Sequence, residues 1–210
     1  MTDLIVALDD PRALAKLPEM IEVGARWFKI DPWLLLDTSS RALATIDDAG
    51  ASLFLDLKLY QPATTVARTA RRAWEMGARL LTVFADSGML EAASAARVRD
   101  DQKVIAVGPL TDGTGSARDL SHQLALCGGV VCRPDAIEHY RRVLPSRVKP
   151  VFVCPGVRTQ KAWAAGGHGA IFSPSEAARL GATYVVVGRP IYADPARAVE
   201  AILWELADAT

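Results

Sequence analysis

The chain has 210 residues, half of them hydrophobic, and its 24 basic side chains balance 24 acidic ones, so the formal net charge is zero. Balanced charge with no basic stripe argues against a nucleic-acid partner, and no apolar run approaches the roughly 18–20 residues needed to cross a bilayer. One core of ordinary size, and so a single domain over 1–210, is the simplest reading.

The opening "MTDLIVALDD" has no charged n-region or cleavage site and is expected to enter a strand at once. From there, short β-branched runs alternate with amphipathic helical patterns. Strands are predicted over 4–9, 27–31, 52–59, 79–85, 103–110, 129–133, 150–156 and 184–189. Helices are predicted over 11–23, 33–48, 64–77, 88–98, 117–127, 135–144, 174–180 and 195–208. Asp10-Pro11, Ser116, Pro134-Asp135, Ser173-Pro174 and Asp194-Pro195 read as helix starts, and Gly24, Gly50, Gly77, Gly128 and Gly181 as stops. The irregular stretch 157–173, which holds Trp163 and His168, is too long for an ordinary connection and reads as a functional loop. Cys127, Cys132 and Cys154 form no CxxC pair and are expected to be buried, reduced thiols of a cytoplasmic protein. His122 and His139 fall in helical patterns and read as surface residues, and no cluster has metal-ligand spacing.

Eight strictly alternating βα units predict an α/β fold of the (β/α)8 TIM-barrel type, with a doubly wound open sheet as the alternative. A barrel confines chemistry to the C-terminal ends of its strands. The polar residues expected there are Asp9, Lys29, Asp31, Asp56, Lys58, Gln61, Asp86, Thr111, Asp112, Arg158 and Arg189. Asp56 and Lys58 lie two apart in "FLDLKLYQPATT" and so share a strand face. Buried charge is costly when unpaired, so alternating ammonium and carboxylate groups at one mouth read as a working site. Pro155 and Gly156 in "CPGVR", with Gly188 and Arg189 in "VVVGRP", stand where such barrels bind phosphate. Arg189 supplies the charge-assisted contact, so the expected ligand is a phosphorylated small molecule.

On these residues the sequence resembles the orotidine 5′-monophosphate decarboxylase family over essentially its whole length. "DLK" at 56–58 with Thr65 following is similar to the family's D-x-K-x-x-D-I-P-N-T segment. "ALDD" at 7–10, "FKID" at 28–31, "GVVC" at 129–132, "CPGVR" at 154–158 and "VVVGRPI" at 185–191 match in order and spacing. The resemblance implies decarboxylation of orotidine 5′-monophosphate to uridine 5′-monophosphate, without metal or organic cofactor, by a homodimer with shared sites in pyrimidine biosynthesis. Lys58 then corresponds to the acid that protonates the C6 carbanion, and Asp56 to the carboxylate set against the departing carbon dioxide. Lys29 corresponds to the lysine that orients this array, Asp9 to the ribose ligand, Thr65 to the threonine reached across the dimer, and Arg189 to the phosphate ligand.

The departures from the pattern fall in the site itself. The family's second Asp, donated to the partner's site, is Gln61 here, which keeps hydrogen-bonding capacity without charge. The proline comes one place early, at Pro62, and the family's His after the fourth strand is Phe84. The pyrimidine-contacting segment after the fifth strand offers Thr111 and Asp112, and His168 stands loosely where the family has a Gln. Asp31 or Asp112 is expected to restore the missing negative charge near Lys58. Two other readings stay open: a paralogue acting on a different phosphorylated substrate, and a barrel that binds nucleotide without turnover.

Overall fold

The computed structural model describes residues 1–108, 117–144, 149–158 and 172–209. Eight parallel strands close into a barrel in sequence order: β1 (Asp3–Ala7), β2 (Trp27–Ile30), β3 (Ser52–Leu59), β4 (Ala78–Phe84), β5 (Lys103–Val107), β6 (Gly129–Val131), β7 (Val151–Pro155) and β8 (Tyr184–Val187). Closure comes from β8 pairing with β1, with Asp3 opposite Tyr184 and Val6 opposite Val187. Around it lie α1 (Pro11–Ala15), α2 (Leu17–Glu22), α3 (Pro32–Asp48), α4 (Ala63–Glu75), α5 (Ser87–Ala95), α6 (Ala117–Leu126), α7 (Ile137–Val143), α8 (Pro174–Leu180) and α9 (Pro195–Asp208). No helix among the described residues is long and apolar enough to cross a membrane.

The two-residue period of a strand divides the apolar side chains into two sets. Ile5, Ala7, Phe54, Leu80, Ile105, Val153, Tyr184 and Val186 point inward and fill the barrel. Trp27 and Tyr184 meet edge to face at 4.9 Å where β2 and β8 begin, at the N-terminal end of this filling. Residues of the other parity, such as Leu4, Val6 and Leu8, pack outward in a larger core with Leu17, Trp74, Val199 and Ile202 of the helices. Because the barrel is filled below, the inward positions left for polar groups are those at the C-terminal mouth.

Several element ends differ from the sequence expectation. The helix expected over 11–23 is two, broken at Lys16, because Pro18 has no N–H to give to the preceding turn. The helix expected over 135–144 begins as a 3-10 turn, Pro134–Ala136, before α7. β1, β2 and β8 stop at Ala7, Ile30 and Val187, short of the predicted 9, 31 and 189. Asp9, Asp31, Gly188 and Arg189 therefore stand on the rim beyond the strands. Caps follow the sequence more closely: Asp10 accepts from Arg12 N, and Ser173 with Glu176 makes a reciprocal capping box. Asp194 precedes α9 without a side-chain cap, and Ser116 lies outside the described residues. Gly24, Gly50, Gly77 and Gly181 all hold positive φ after their helices, whereas Gly128 does not.

Candidate active site

Four charged side chains line the mouth in an unbroken series. Lys29 Nζ donates to Asp9 Oδ1 at 2.8 Å and lies 3.4 Å from Asp56 Oδ2. Lys58 Nζ donates to that same Asp56 oxygen at 2.7 Å. Two ammonium and two carboxylate groups alternate, so the series Asp9, Lys29, Asp56, Lys58 is neutral as a whole. Exposure is lowest in the middle of it: the Asp9 side chain is 42% exposed, Lys29 11%, Asp56 14% and Lys58 55%. The array thus has a buried middle and two accessible ends, the carboxylate of Asp9 and the more exposed ammonium of Lys58.

The electrostatics follow from that burial. Desolvation pushes the Lys29 ammonium towards losing its proton, but Asp56 and Asp9 together outweigh it, and its pKa rises above the ordinary lysine value. Desolvation likewise favours a neutral Asp56, and Lys29, Lys58 and a hydrogen bond from Thr82 reverse it, so that its carboxyl falls below the usual range. Both groups are therefore charged at neutral pH.

Local backbone geometry explains how Asp56 and Lys58 meet. The β3–β4 pairing runs in register at Leu55–Leu81 and resumes at Leu59–Val83, so β3 advances four residues while β4 advances two. The two extra residues form a bulge. Within it Lys58 has φ of +45°, the one non-glycine positive φ among the described residues. A lysine there costs on the order of 1 kcal/mol or more and needs support from its surroundings. Thr82, fully buried on β4, provides it: its hydroxyl accepts from Lys58 N at 2.8 Å and donates to Asp56 Oδ1 at 2.9 Å.

The rim continues from β1 to β8. A Cβ at Gly188 would stand 3.3 Å from Asp9 Oδ2 and 3.2 Å from the Tyr192 hydroxyl, so a side chain here would press on both groups. Tyr192 donates its hydroxyl to Ala7 O at 3.1 Å and accepts from Asp9 N at 3.2 Å, pinning the end of β1. Burial, reinforced by the nearby Asp9 charge, pushes that phenol up to about 12. Arg189 follows, exposed at the start of a 3-10 turn, Arg189–Ile191, whose Ile191 is buried, and it makes no ion pair among the described residues. Across the β7–β8 pair, Pro155 and Gly156 are exposed, and Gly156 has φ of +76° with open space where a side chain would stand.

On the far side of the array, Gln61 and Pro62 are exposed at the start of α4, and Thr65 is half-buried in its first turn. Tyr60 meets Phe84 edge to face at 4.8 Å. The Phe84 ring leaves no room at Gly108, where a Cβ would come within 2.7 Å of it and where φ is +122°. Asp31 does not join the array. Once β2 ends, its carboxylate turns to cap α3, accepting from Leu34 N at 2.9 Å. Among the described residues, Asp56 is the one carboxylate within ion-pair reach of Lys58, so Asp31 makes no direct ion pair with it. Thr111, Asp112, Trp163 and His168 lie outside the described residues.

Sequence reasoning brought Asp9, Lys29, Asp56 and Lys58 to one mouth but passed over Thr82 and Tyr192. The signal for Thr82 is a single hydroxyl in "RLLTVFA", at the inward parity of Leu80. For Tyr192 it is an aromatic four residues after Gly188, the spacing of one tight turn.

Comparison with known proteins decides the family. The model of the orotidine 5′-phosphate decarboxylase / HUMPS family matches residues 2–202. The chain belongs to that family. Orotidine 5′-phosphate decarboxylase of Rhodopseudomonas palustris strain HaA2 is 35% identical over 226 aligned positions, covering 98% of this chain and 95% of the relative. That of Caulobacter vibrioides strain NA1000 / CB15N is 34% identical, covering 95% and 93%. Among solved structures, orotidine 5′-phosphate decarboxylase from Lactobacillus acidophilus superposes with a TM-score of 0.76 at 22% identity, over 98% of this chain and 99% of that one. The enzyme from Pyrococcus horikoshii OT3 gives 0.75 at 22%, over 97% and 99%. At that identity the likeness of structure speaks for the shared barrel, and the family assignment rests on sequence.

Proposed function

We propose that this member of the family decarboxylates orotidine 5′-monophosphate to uridine 5′-monophosphate, with no metal or organic cofactor. The observation that carries the reading is the Asp9–Lys29–Asp56–Lys58 series, with its ammonium end exposed at the mouth of a barrel. Membership of the family makes the protein an enzyme of the carboxy-lyase class. In the proposed step the bond between C6 and the substrate carboxylate breaks and carbon dioxide leaves. The electron pair stays on C6, and the Lys58 ammonium supplies the proton that quenches it. Asp56, kept ionised by its two lysines, faces the substrate carboxylate and disfavours the ground state relative to the transition state. Lys29 holds Asp56 and Asp9 in place, and Asp9 is the ribose contact.

The phosphate is proposed to sit on the rim of β7 and β8, at Pro155, Gly156, Gly188 and Arg189. An exposed Arg189 with no carboxylate partner among the described residues supports this, since a guanidinium on a surface ion pair would be spent. Thr111, Asp112 and His168 remain proposed base and phosphate contacts. We place the protein in the cytoplasm, a reducing compartment that suits three free cysteines, as an enzyme of pyrimidine biosynthesis.

A homodimer with shared sites is part of the proposal. Gln61 and Pro62 are uncovered at the mouth, with Tyr60, Trp33 and Leu36 exposed around the same end of the barrel. A partner seated there would bury those apolar surfaces and receive Gln61 and Thr65 into its own site.

The test is a turnover assay with orotidine 5′-monophosphate, following loss of the substrate's ultraviolet absorbance. Robust turnover is the expected result. Tight binding of pyrimidine 5′-monophosphates without turnover would instead favour a changed substrate or a barrel that binds nucleotide without turnover, and Gln61 in place of a carboxylate supports those readings.

A further inference from the structure

At the mouth, the hydroxyl of Thr82 takes no direct part in the proposed reaction. Thr82 is completely buried, on the strand opposite the β3 bulge, and both of its hydrogen-bonding partners belong to the Asp56–Lys58 segment. A threonine hydroxyl has one proton to give and lone pairs to receive. Here the proton goes to Asp56 Oδ1, and the lone pair meets Lys58 N, whose ladder partner the bulge has removed. Asp56 Oδ2 is left to receive both lysines. A single atom thus fixes which carboxylate oxygen faces the ammonium groups and which backbone conformation presents Lys58.

We propose that Thr82 is a positioning residue for decarboxylation, its hydroxyl clamping the bulge so that the Asp56 carboxylate and the Lys58 ammonium are held at the reacting end of the substrate. This role rests on the reading of Lys58 as the proton donor. It differs from a packing role in a way that substitution resolves. Valine keeps the shape of threonine but can neither donate to Asp56 nor accept from Lys58 N. Serine keeps both bonds and loses only a methyl group. Removing the hydroxyl frees Asp56 to rotate and releases Lys58 towards an ordinary strand conformation, so chemistry suffers while the phosphate rim on β7 and β8 is untouched.

The experiment compares wild type, Thr82→Val and Thr82→Ser in two measurements. With orotidine 5′-monophosphate, kcat of Thr82→Val is expected to fall roughly 10- to 100-fold, the scale of losing a hydrogen bond to a charged group, with KM within about threefold of wild type. Thr82→Ser should restore kcat to within about threefold. In the second measurement, the Asp56 carboxyl carbon is titrated by NMR without substrate. Its midpoint should rise in Thr82→Val, because the hydroxyl stabilises the ionised form, and stay near wild type in Thr82→Ser. A Thr82→Val enzyme with wild-type kcat and an unmoved Asp56 midpoint would overturn the proposal, as would a Thr82→Ser enzyme as impaired as Thr82→Val. Failure of wild type to consume orotidine 5′-monophosphate would strike the decarboxylase reading instead. The Asp56 titration, needing no substrate, would still decide whether Thr82 holds that carboxylate.

Discussion

Lys58 reaches back to Asp56, Nζ to Oδ2 at 2.7 Å, across a backbone that has left the regular strand between them. In an ordinary strand, side chains two apart project in parallel from one face. The bulge and the +45° φ of Lys58 converge them on a point at the barrel mouth. An ammonium held there by a carboxylate is oriented towards the mouth.

That arrangement makes Lys58→Ala the first substitution to test. Turnover of orotidine 5′-monophosphate is expected to fall by at least about 100-fold, the lower range for removing a positioned acid, because Lys29 is buried and committed to two carboxylates. Steady-state kinetics check it, and retained turnover would remove the proposed mechanism.

Gln61→Asp separates the two substrate readings. If the substrate is orotidine 5′-monophosphate, restoring a carboxylate at this exposed position should raise kcat or leave it intact. If the substrate has changed, the same swap should damage turnover of that other substrate, because it alters the charge of a site tuned without it. Parallel kinetics of both proteins make the comparison.

Arg189→Ala should weaken binding by about 1.5–3 kcal/mol, the worth of one charged hydrogen bond, while leaving kcat close to wild type. Calorimetric titration with uridine 5′-monophosphate and with uridine gives the check. The loss should appear with the phosphorylated ligand alone. Equal affinity of wild type and variant for the nucleotide would move the phosphate site away from β8.

Stability should depend on pH at both ends of the scale. The Asp56 pKa is depressed by folding, so its contribution is present above the unfolded value near about 3.9 and is lost as pH falls through the folded value. The Lys29 pKa is raised, so its contribution is complete below about 10.4 and is lost as pH rises beyond it. Thermal unfolding should therefore show a plateau through neutral pH with a fall on each side. The gap in Tm between wild type and Asp56→Asn should begin to narrow as pH drops below about 3.9 and close only below the depressed folded-state pKa, where both carry a neutral group at 56. A gap that stays constant into acid would mean that Asp56 gains nothing from its lysines.

The barrel was legible in the sequence because eight repeats of one unit, apolar strand then amphipathic helix, leave few closed arrangements. Charges at 9, 29, 56 and 58 were legible for a related reason: carboxylates and ammonium groups inside apolar runs need partners, and the fold brings those runs side by side. The position of Asp31 was less legible, because a residue two beyond Lys29 keeps the inward face only if the strand continues. Pro32 starts a helix instead and turns the carboxylate into a cap. The bulge was not legible, since a register shift depends on the neighbouring strand. Thr82 went with it, because its meaning comes entirely from facing that irregularity.

Phe84 and Gly108 are interlocked. With the ring in place, any side chain at 108 meets it at 2.7 Å and must also adopt a φ that side chains avoid. The order in which this mouth can be remodelled is therefore constrained. A smaller residue at 84 has to precede a side chain at 108, and the reverse order passes through a clash. Libraries that vary 108 alone will see a fixed glycine, and a smaller residue at 84 removes the clash while the backbone strain at φ +122° remains.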